Sequence, residues 1–315
     1  MNIKRFLQRL GWYHEPAAYH YQPDERYIEL LNFWASQQRQ DIWLYQFVLQ
    51  HFSDRLSAQN SLMISSVFGP RKAIAKSKSR VKLFYTGENI WRFPEYSDHC
   101  LSDVDLALGF DDIHHERYIR FPIWIFYFFG VQYTEQDIQQ ALNRLCLPPP
   151  ERRGFCSLVC SHDSLGIRTR LYRQLSRIDR VDSAGSYLNN TDALLTRFHD
   201  DKVEFLRHYR FNICPENSNR PGYVTEKIFQ AIRANTIPIY WGSKNQPEPE
   251  VLNHDAILFY EGRSQLRKLI DQVAELYRDE RKYQEFIAQP RFVRTAAGYI
   301  AARLDQLRTK LAQLL

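Results

Sequence analysis

A chain of 315 residues, 44% of them hydrophobic, carries enough apolar material for two full cores, which excludes a disordered chain. Its net charge of +6 favours anionic partners: a nucleotide diphosphate, an anionic lipid surface or nucleic acid. Five cysteines (Cys100, Cys146, Cys156, Cys160 and Cys214) without framework spacing exclude a disulfide scaffold and point to reduced thiols in a cytosolic setting.

Met1 to Leu10 holds Lys4, Arg5 and Arg9 but no apolar stretch behind them, unlike a secretory signal. Residues 28–35 read as a strand. Residues 41–52 have helical spacing through Ile42, Tyr45, Val48 and Leu49. Further strands are expected at 62–68, 81–85 and 104–110, and strands alternating with helices predict a parallel, doubly wound sheet. Arg71, Lys72, Lys76, Lys78, Arg80 and Lys82 follow one another with no acid between them. That run reads as a solvated face, with attachment to anionic membrane headgroups as the alternative. The apolar run 121–131 is shorter than the roughly 20 residues a membrane helix needs. Leu147-Pro148-Pro149-Pro150 is a stiff linker, after which the pattern restarts.

Strand 154–161 carries Cys156 and Cys160 on one face, as buried thiols rather than zinc ligands with His162. A helix is expected at about 166–177, through Ile167, Leu171 and Leu175, and another at 191–208. Asn189-Asn190-Thr191 matches a glycosylation sequon but reads as a loop. Then come a short strand at 211–214, a turn-rich loop at 216–222 and a helix from Glu226 capped by Thr225. Strand 237–241 stops at Gly242. A strand at 256–260 and a helix at 263–278 follow. The tail, 296–315, is amphipathic through Ile300, Leu304, Leu307, Leu311 and Leu314. It reads as a helix docked back across a domain junction, with an interfacial membrane helix as the alternative.

Several residues stand where charge chemistry needs them. A helix N-terminus presents unpaired N–H groups and partial positive charge, which suits a phosphate, and Lys227 adds a full charge in that first turn. Arg168 lies just past a strand near a helix start, where a guanidinium can clamp phosphate oxygens; Arg170 is its rival. Glu88 arrives at the end of strand 81–85, past the turn at Gly87. Asp103-Val104-Asp105 has the form of a metal-binding triplet, but it leads straight into a strand and reads as strand-entry carboxylates.

The run from Phe211 to Gly242 resembles the signature of the α-1,3/1,4-fucosyltransferases, the inverting GDP-fucose enzymes of glycosyltransferase family 10. That signature is F-x-x-x-F-E-N-S, a spacer, Y-V-T-E-K, a helix, then P-[IV]-x-x-G. Glu216-Asn217-Ser218 and Tyr223-Val224-Thr225-Glu226-Lys227 stand at the required spacing, with Pro215 in place of an aromatic residue. Tyr85-Thr86-Gly87-Glu88-Asn89 matches the family's Y-T-G-E-N, and residues 105–111 and 117–122 resemble the strand and turn that follow it. The likeness runs over 82–122 and 154–242.

The resemblance implies an α/β, GT-B fold with two Rossmann-like domains facing across a cleft. Residues 1–149 would be the acceptor-side domain, 150–290 the GDP-fucose-binding domain and 291–315 a C-terminal amphipathic helix. It implies Glu88 as general base, and Arg168 (preferred to Arg170 on the family pattern), Asn217, Tyr223, Glu226 and Lys227 as donor contacts, with Glu226 against the fucose ring or ribose. The implied reaction moves L-fucose from GDP-fucose to O3 or O4 of N-acetylglucosamine in a lactosamine-type glycan. With a helix terminus, Arg168 and Lys227 to neutralise the diphosphate, no divalent metal is expected to be required. Trp91, Phe93, Tyr118 and Trp124 are candidate sugar-stacking aromatics. The expected setting is cytoplasmic and bacterial, with peripheral contact to the anionic inner membrane face. Two alternatives remain: a GT-B transferase for another nucleotide sugar, and a basic non-enzymatic module built on residues 71–82 and the tail. No RNA-recognition, KH or zinc module is present, so nucleic acid is not an expected partner.

Overall fold

The computed structural model describes residues 19–21, 23, 24, 26–33, 38–145 and 154–315. The Met1–Leu10 segment, the 147–150 linker and Cys146 lie outside them. The chain divides into one unit of Met1–Thr134 with Ala301–Leu315 and a second of Glu135–Ile300.

In the first unit the described elements are β1 (Tyr19–Tyr21), β2 (Ile28–Phe33), α1 (Trp43–Phe52), β3 (Leu62–Ser65), α2 (Arg71–Lys76), β4 (Val81–Tyr85), β5 (Leu106–Gly109), β6 (Tyr118–Arg120) and α3 (Trp124–Phe128). The strands form one sheet in the order β1-β2-β3-β4-β5-β6. β1 runs antiparallel to β2, and the remaining pairs are parallel, with Leu83 opposite Leu106 and Tyr85 opposite Leu108. Every residue of β3 and β5 is buried, as a parallel sheet covered on both faces requires. This sheet follows chain order from edge to edge. The doubly wound pattern expected from the alternation of elements therefore holds for the second sheet and not for the first.

In the second unit the described elements are α4 (Glu135–Leu145), β7 (Gly154–Leu158), α5 (Ile167–Leu175), β8 (Val181–Ser183), α6 (Ala193–Thr196), α7 (Lys202–Arg207), β9 (Tyr209–Ile213), α8 (Glu226–Arg233), β10 (Ile237–Tyr240), β11 (Leu258–Phe259), α9 (Leu266–Arg278) and α10 (Glu280–Ile287). The order β11-β10-β9-β7-β8 is parallel throughout. The chain leaves β7 for the outer β8, then returns past β7 to β9 and continues the other way. Successive connections thus diverge between β7 and β9, and a crevice opens beyond the carboxyl ends of these two strands, where open α/β sheets hold ligands. Asn212 of β9 fastens the two strands there, donating from Nδ2 to Ser157 O at 3.2 Å and to Ser157 Oγ at 3.0 Å.

The helix expected over 191–208 is two short helices, α6 and α7. Between them His199 and Asp200 take left-handed φ angles of 50° and 64°, which short polar side chains tolerate. Asp201 then restarts the helix, its Oδ1 accepting the Glu204 N–H at 2.9 Å. Local capping overrode the apolar periodicity.

The basic run divides by burial. Arg71 binds Asp103 through Nε at 2.6 Å and Asp98 through Nη1 at 2.5 Å, and it holds the Asp98 carboxyl well below the usual range against the opposing effect of burial. Lys82 Nζ donates to the Ile74 and Ala75 carbonyls, both at 3.2 Å. Lys72, Lys76, Lys78 and Arg80 are exposed. Burial pushes the Cys100 thiol up to about 12 and the Cys160 thiol to about 11, and it also raises Cys156 and Cys214, so these are inert packing groups.

The tail forms α11 (Ala296–Leu314). Its apolar face is covered: Ile300, Leu307 and Leu311 are fully buried. Within the first unit the chain end is tied down by Arg55 to the Ala312 carbonyl at 3.0 Å, Arg80 to Leu314 O at 2.7 Å and Asn60 to Leu315 O at 2.9 Å. This is a docked helix, and among the described residues no helix is long and apolar enough to cross a membrane. Truncation of Leu307 or Leu311 to alanine is expected to cost about 2–5 kcal/mol in denaturant unfolding. An unchanged midpoint for both variants would mean that this face is not part of the core.

Candidate functional site

At the crevice between β7 and β9 the sequence places three cations. Arg168 sits in the first turn of α5. That helix begins at Gly166, whose φ of 68° suits glycine, and is capped by Asp163, which accepts the Ile167 N–H at 3.1 Å and the Thr169 N–H at 2.7 Å. The Arg168 side chain is buried and spans both strand ends. Nη1 donates to His162 O at 2.6 Å, beyond β7, and Nη2 donates to Pro215 O at 3.0 Å and Asn217 Oδ1 at 2.8 Å, beyond β9. Its Nε hydrogen and one Nη1 hydrogen keep no protein partner among the described residues.

Glu216 organises the second half of the site. Its carboxylate is wholly buried. Oε1 accepts the Thr225 N–H at 2.8 Å, while Oε2 accepts the Thr225 hydroxyl at 2.8 Å and Lys227 Nζ at 3.3 Å. Lys227 Nζ also donates to Thr225 Oγ1 at 2.8 Å and lies 3.8 Å from Glu226. Thr225 holds the N-cap position of α8, but its hydroxyl serves Glu216 rather than the helix, which corrects the capping role read from the sequence. Carboxylates therefore surround the helix start.

Opposed effects set the charges. Burial works against the Lys227 ammonium, but Glu216 and Glu226 outweigh it and raise its pKa above 10.5. Burial likewise opposes the Glu226 carboxylate, and Lys227 with Lys202 pulls it below 4.5. A lowered carboxyl stabilises the fold above its ordinary value and loses that contribution as pH falls through the lowered one. A raised ammonium stabilises below its ordinary value and loses it as pH rises through the raised one. The pair stays charged across the whole interval between.

Lys202, first residue of α7, is the third cation. It lines one pocket with Val159, Arg168, Asn212, Ile213, Cys214, Pro215 and Lys227, of about 260 Å³ including space open to solvent. The loop after β9 is pinned from outside: Gly222 N–H donates to Ser243 Oγ at 3.0 Å and Lys244 N–H to Asn219 Oδ1 at 2.6 Å. Gly242 has φ 146°, and a Cβ there would meet Glu216 Cγ at 2.7 Å, so backbone and carboxylate approach as only glycine allows.

In the first unit, Glu88 follows the carboxyl end of β4. The turn is held by the Glu88 N–H donating to Thr86 Oγ1 at 3.0 Å and the Trp91 N–H to Asn89 Oδ1 at 3.2 Å. A Cβ at Gly87 would lie 2.5 Å from Ile123 Cδ1, which explains the glycine. The Glu88 carboxylate is 30% exposed and 3.8 Å from Arg92. Asp103 and Asp105 are engaged structurally, the first by Arg71 and the second by the Lys82 N–H at 2.8 Å.

Comparison with known proteins places these features in a family. The model for the C-terminal part of glycosyltransferase family 10 (fucosyltransferase) matches residues 149–301, and that for the α-(1,3)-fucosyltransferase FucT N-terminal domain matches residues 28–127. The chain belongs to glycosyltransferase family 10. It is 29% identical over 253 residues to the α-(1,3)-fucosyltransferase FucT of Helicobacter pylori, a match covering 69% of this chain and 50% of that protein. The chain thus spans about half the length of that relative. Among solved structures, a crystal structure of an α1,3-fucosyltransferase matches with TM-score 0.61 at 24% identity, covering 90% of this chain and 89% of the other. A second, with GDP-fucose, matches with TM-score 0.52 at 24% identity over 78% and 77%. The fold is that of these GT-B proteins: two Rossmann-like α/β domains.

Within this family-10 chain, Arg168 and Asn217 are directly bonded, Lys227 lines the same pocket as Arg168, and Glu226 lies beside Lys227. Tyr223 is 3% exposed, a packed position beside the same helix start. Glu88 belongs to the other unit. Arg170 turns away to the Tyr260 hydroxyl at 3.0 Å. Of the four aromatics offered for sugar stacking, Trp91 is 71% exposed, whereas Tyr118 and Trp124 are buried and Phe93 packs edge-on against Phe68. Sequence reasoning passed over Glu216, although it stood inside the matched motif, and Lys202, which was hidden inside a helix drawn too long.

Thr225→Val removes the hydroxyl that serves both Glu216 and Lys227 while keeping the side-chain shape. It is expected to lower stability by about 1–3 kcal/mol. Chemical denaturation at neutral pH checks this, and wild-type stability would remove Glu216 from its organising role.

Proposed function

We propose that this chain transfers L-fucose from GDP-fucose to O3 or O4 of N-acetylglucosamine in a lactosamine-type glycan, inverting the anomeric configuration. The acceptor oxygen attacks the anomeric carbon, the bond to the β-phosphate oxygen breaks, and GDP leaves with the electron pair. Glu88 accepts the proton of the attacking hydroxyl. Arg168 and Lys227 stabilise the growing charge on the diphosphate, and Glu226 favours positive charge on the sugar ring. Asn217 and Tyr223 complete the donor contacts.

The observation that carries this reading is the clamp at the sheet reversal. Arg168 is fixed by both strand ends, still has donors to offer, and shares its pocket with Lys227. The motifs that supply these residues are those of a family whose related proteins are named fucosyltransferases. Trp91, exposed three residues beyond Glu88, gives the acceptor an aromatic face to stack on. The fixed cations make a divalent metal unnecessary in this scheme.

Incubation with GDP-fucose and type 1 and type 2 lactosamine acceptors, followed by linkage analysis, tests the reading. Transfer to O3 or O4 is the expected result. A thermal-shift panel of nucleotide sugars that favours another donor would overturn the assignment. Glu88→Gln is expected to reduce turnover by about 10²- to 10⁴-fold while GDP binding persists; unimpaired turnover would place the base elsewhere. Activity should survive chelation, and activity lost to a chelator and restored only by manganese or magnesium would refute the metal-free scheme.

A further inference from the structure

We propose that Lys202 is the cation that gives the donor pocket its surplus positive charge, its ammonium taking a phosphate oxygen of the nucleoside diphosphate. The inference rests on the reading of this pocket as the donor site and adds a residue that the family signature does not contain.

The argument begins with a count of charges. Lys227 is bonded to the buried Glu216 and lies beside Glu226. Together with Arg168 this makes two cations against two carboxylates, a neutral set. A diphosphate needs more. Lys202 lines the same pocket, and among the described residues it makes neither a hydrogen bond nor an ion pair. Its position is fixed: the Asp201 cap sets the start of α7, and Phe205 and Leu206, both fully buried, anchor the helix to the domain. Lys202 is therefore held at the pocket wall with no carboxylate among the described residues bonded to it, an arrangement that costs stability unless an anion arrives.

Its titration agrees. Burial lowers the Lys202 pKa and Lys227 adds to the effect, while Glu226, Cys214 and Glu216 oppose them. The other groups near it are Arg168, which lines the same pocket, and the raised Cys160 thiol past β7. A bound diphosphate favours the charged form, so binding at alkaline pH takes up a proton.

Calorimetric titration of the full chain with GDP tests this, comparing wild type with Lys202→Met and Lys202→Arg in two buffers of unlike ionisation enthalpy. Lys202→Met is expected to weaken GDP binding about 10- to 100-fold, the worth of one charged hydrogen bond. It should also abolish the proton uptake, leave guanosine binding unchanged and unfold no earlier than wild type without ligand. Lys202→Arg should recover much of the affinity. A Lys202→Met protein that binds GDP as wild type does overturns the assignment of Lys202 alone. An unaltered chain that fails to bind GDP overturns the donor-site reading, and this inference with it. A Lys202→Met variant that is destabilised without ligand and equally weakened toward guanosine would make Lys202 a structural residue and likewise overturn the proposal.

Discussion

The second domain is arranged around one buried carboxylate. An ionised Glu216 out of water is costly unless its oxygens are bonded, and the local sequence supplies the bonds: the backbone and hydroxyl of Thr225, and the Lys227 ammonium. These contacts lock the carboxyl end of β9 to the start of α8. They orient Lys227 toward the pocket. They also require Gly242, because no side chain fits where β10 passes the glutamate. Glu216, Thr225, Lys227 and Gly242, scattered over 27 positions of sequence, are one electrostatic and steric unit.

The same view accounts for Pro215, where the family motif has an aromatic side chain. What this position contributes to the site is its carbonyl, which accepts from Arg168. Proline lacks a backbone donor but retains that acceptor. The bonding of the clamp is therefore preserved although the side chain departs from the pattern.

How much of this was readable from sequence depended on the range of the interaction. Buried parallel strands are continuous apolar runs, so β4, β7 and β10 were legible to within a few residues, and the amphipathic stripe of the tail gave α11 directly. Short polar elements failed. α4 buries only Ile138 and Leu142 of an otherwise polar segment, and α6 and α7 were fused because apolar spacing continues through the left-handed break at His199 and Asp200. Strand order was not legible at all: the first sheet runs in chain order and the second reverses, although both alternate strand and helix. At the site, motif spacing picked out Arg168, Asn217 and Lys227, of which Arg168 bonds Asn217 and lines one pocket with Lys227. The partner of the Thr225 hydroxyl was not legible, since capping its own helix and bonding Glu216 look alike in sequence.

The reversal also determines where charge can respond to ligand. At the carboxyl ends of β7 and β9, backbone carbonyls and a side-chain amide fix Arg168. Lys227 and Glu226 push each other's pKa values outward, so neither changes state near neutrality. Lys202 differs because it lies close enough to feel both Lys227 and Glu226 yet is bonded to neither. A pocket built this way keeps a preorganised framework of bonded charges and holds one lysine whose pKa burial lowers. Preorganised charges can stabilise developing negative charge without reorganising as it forms.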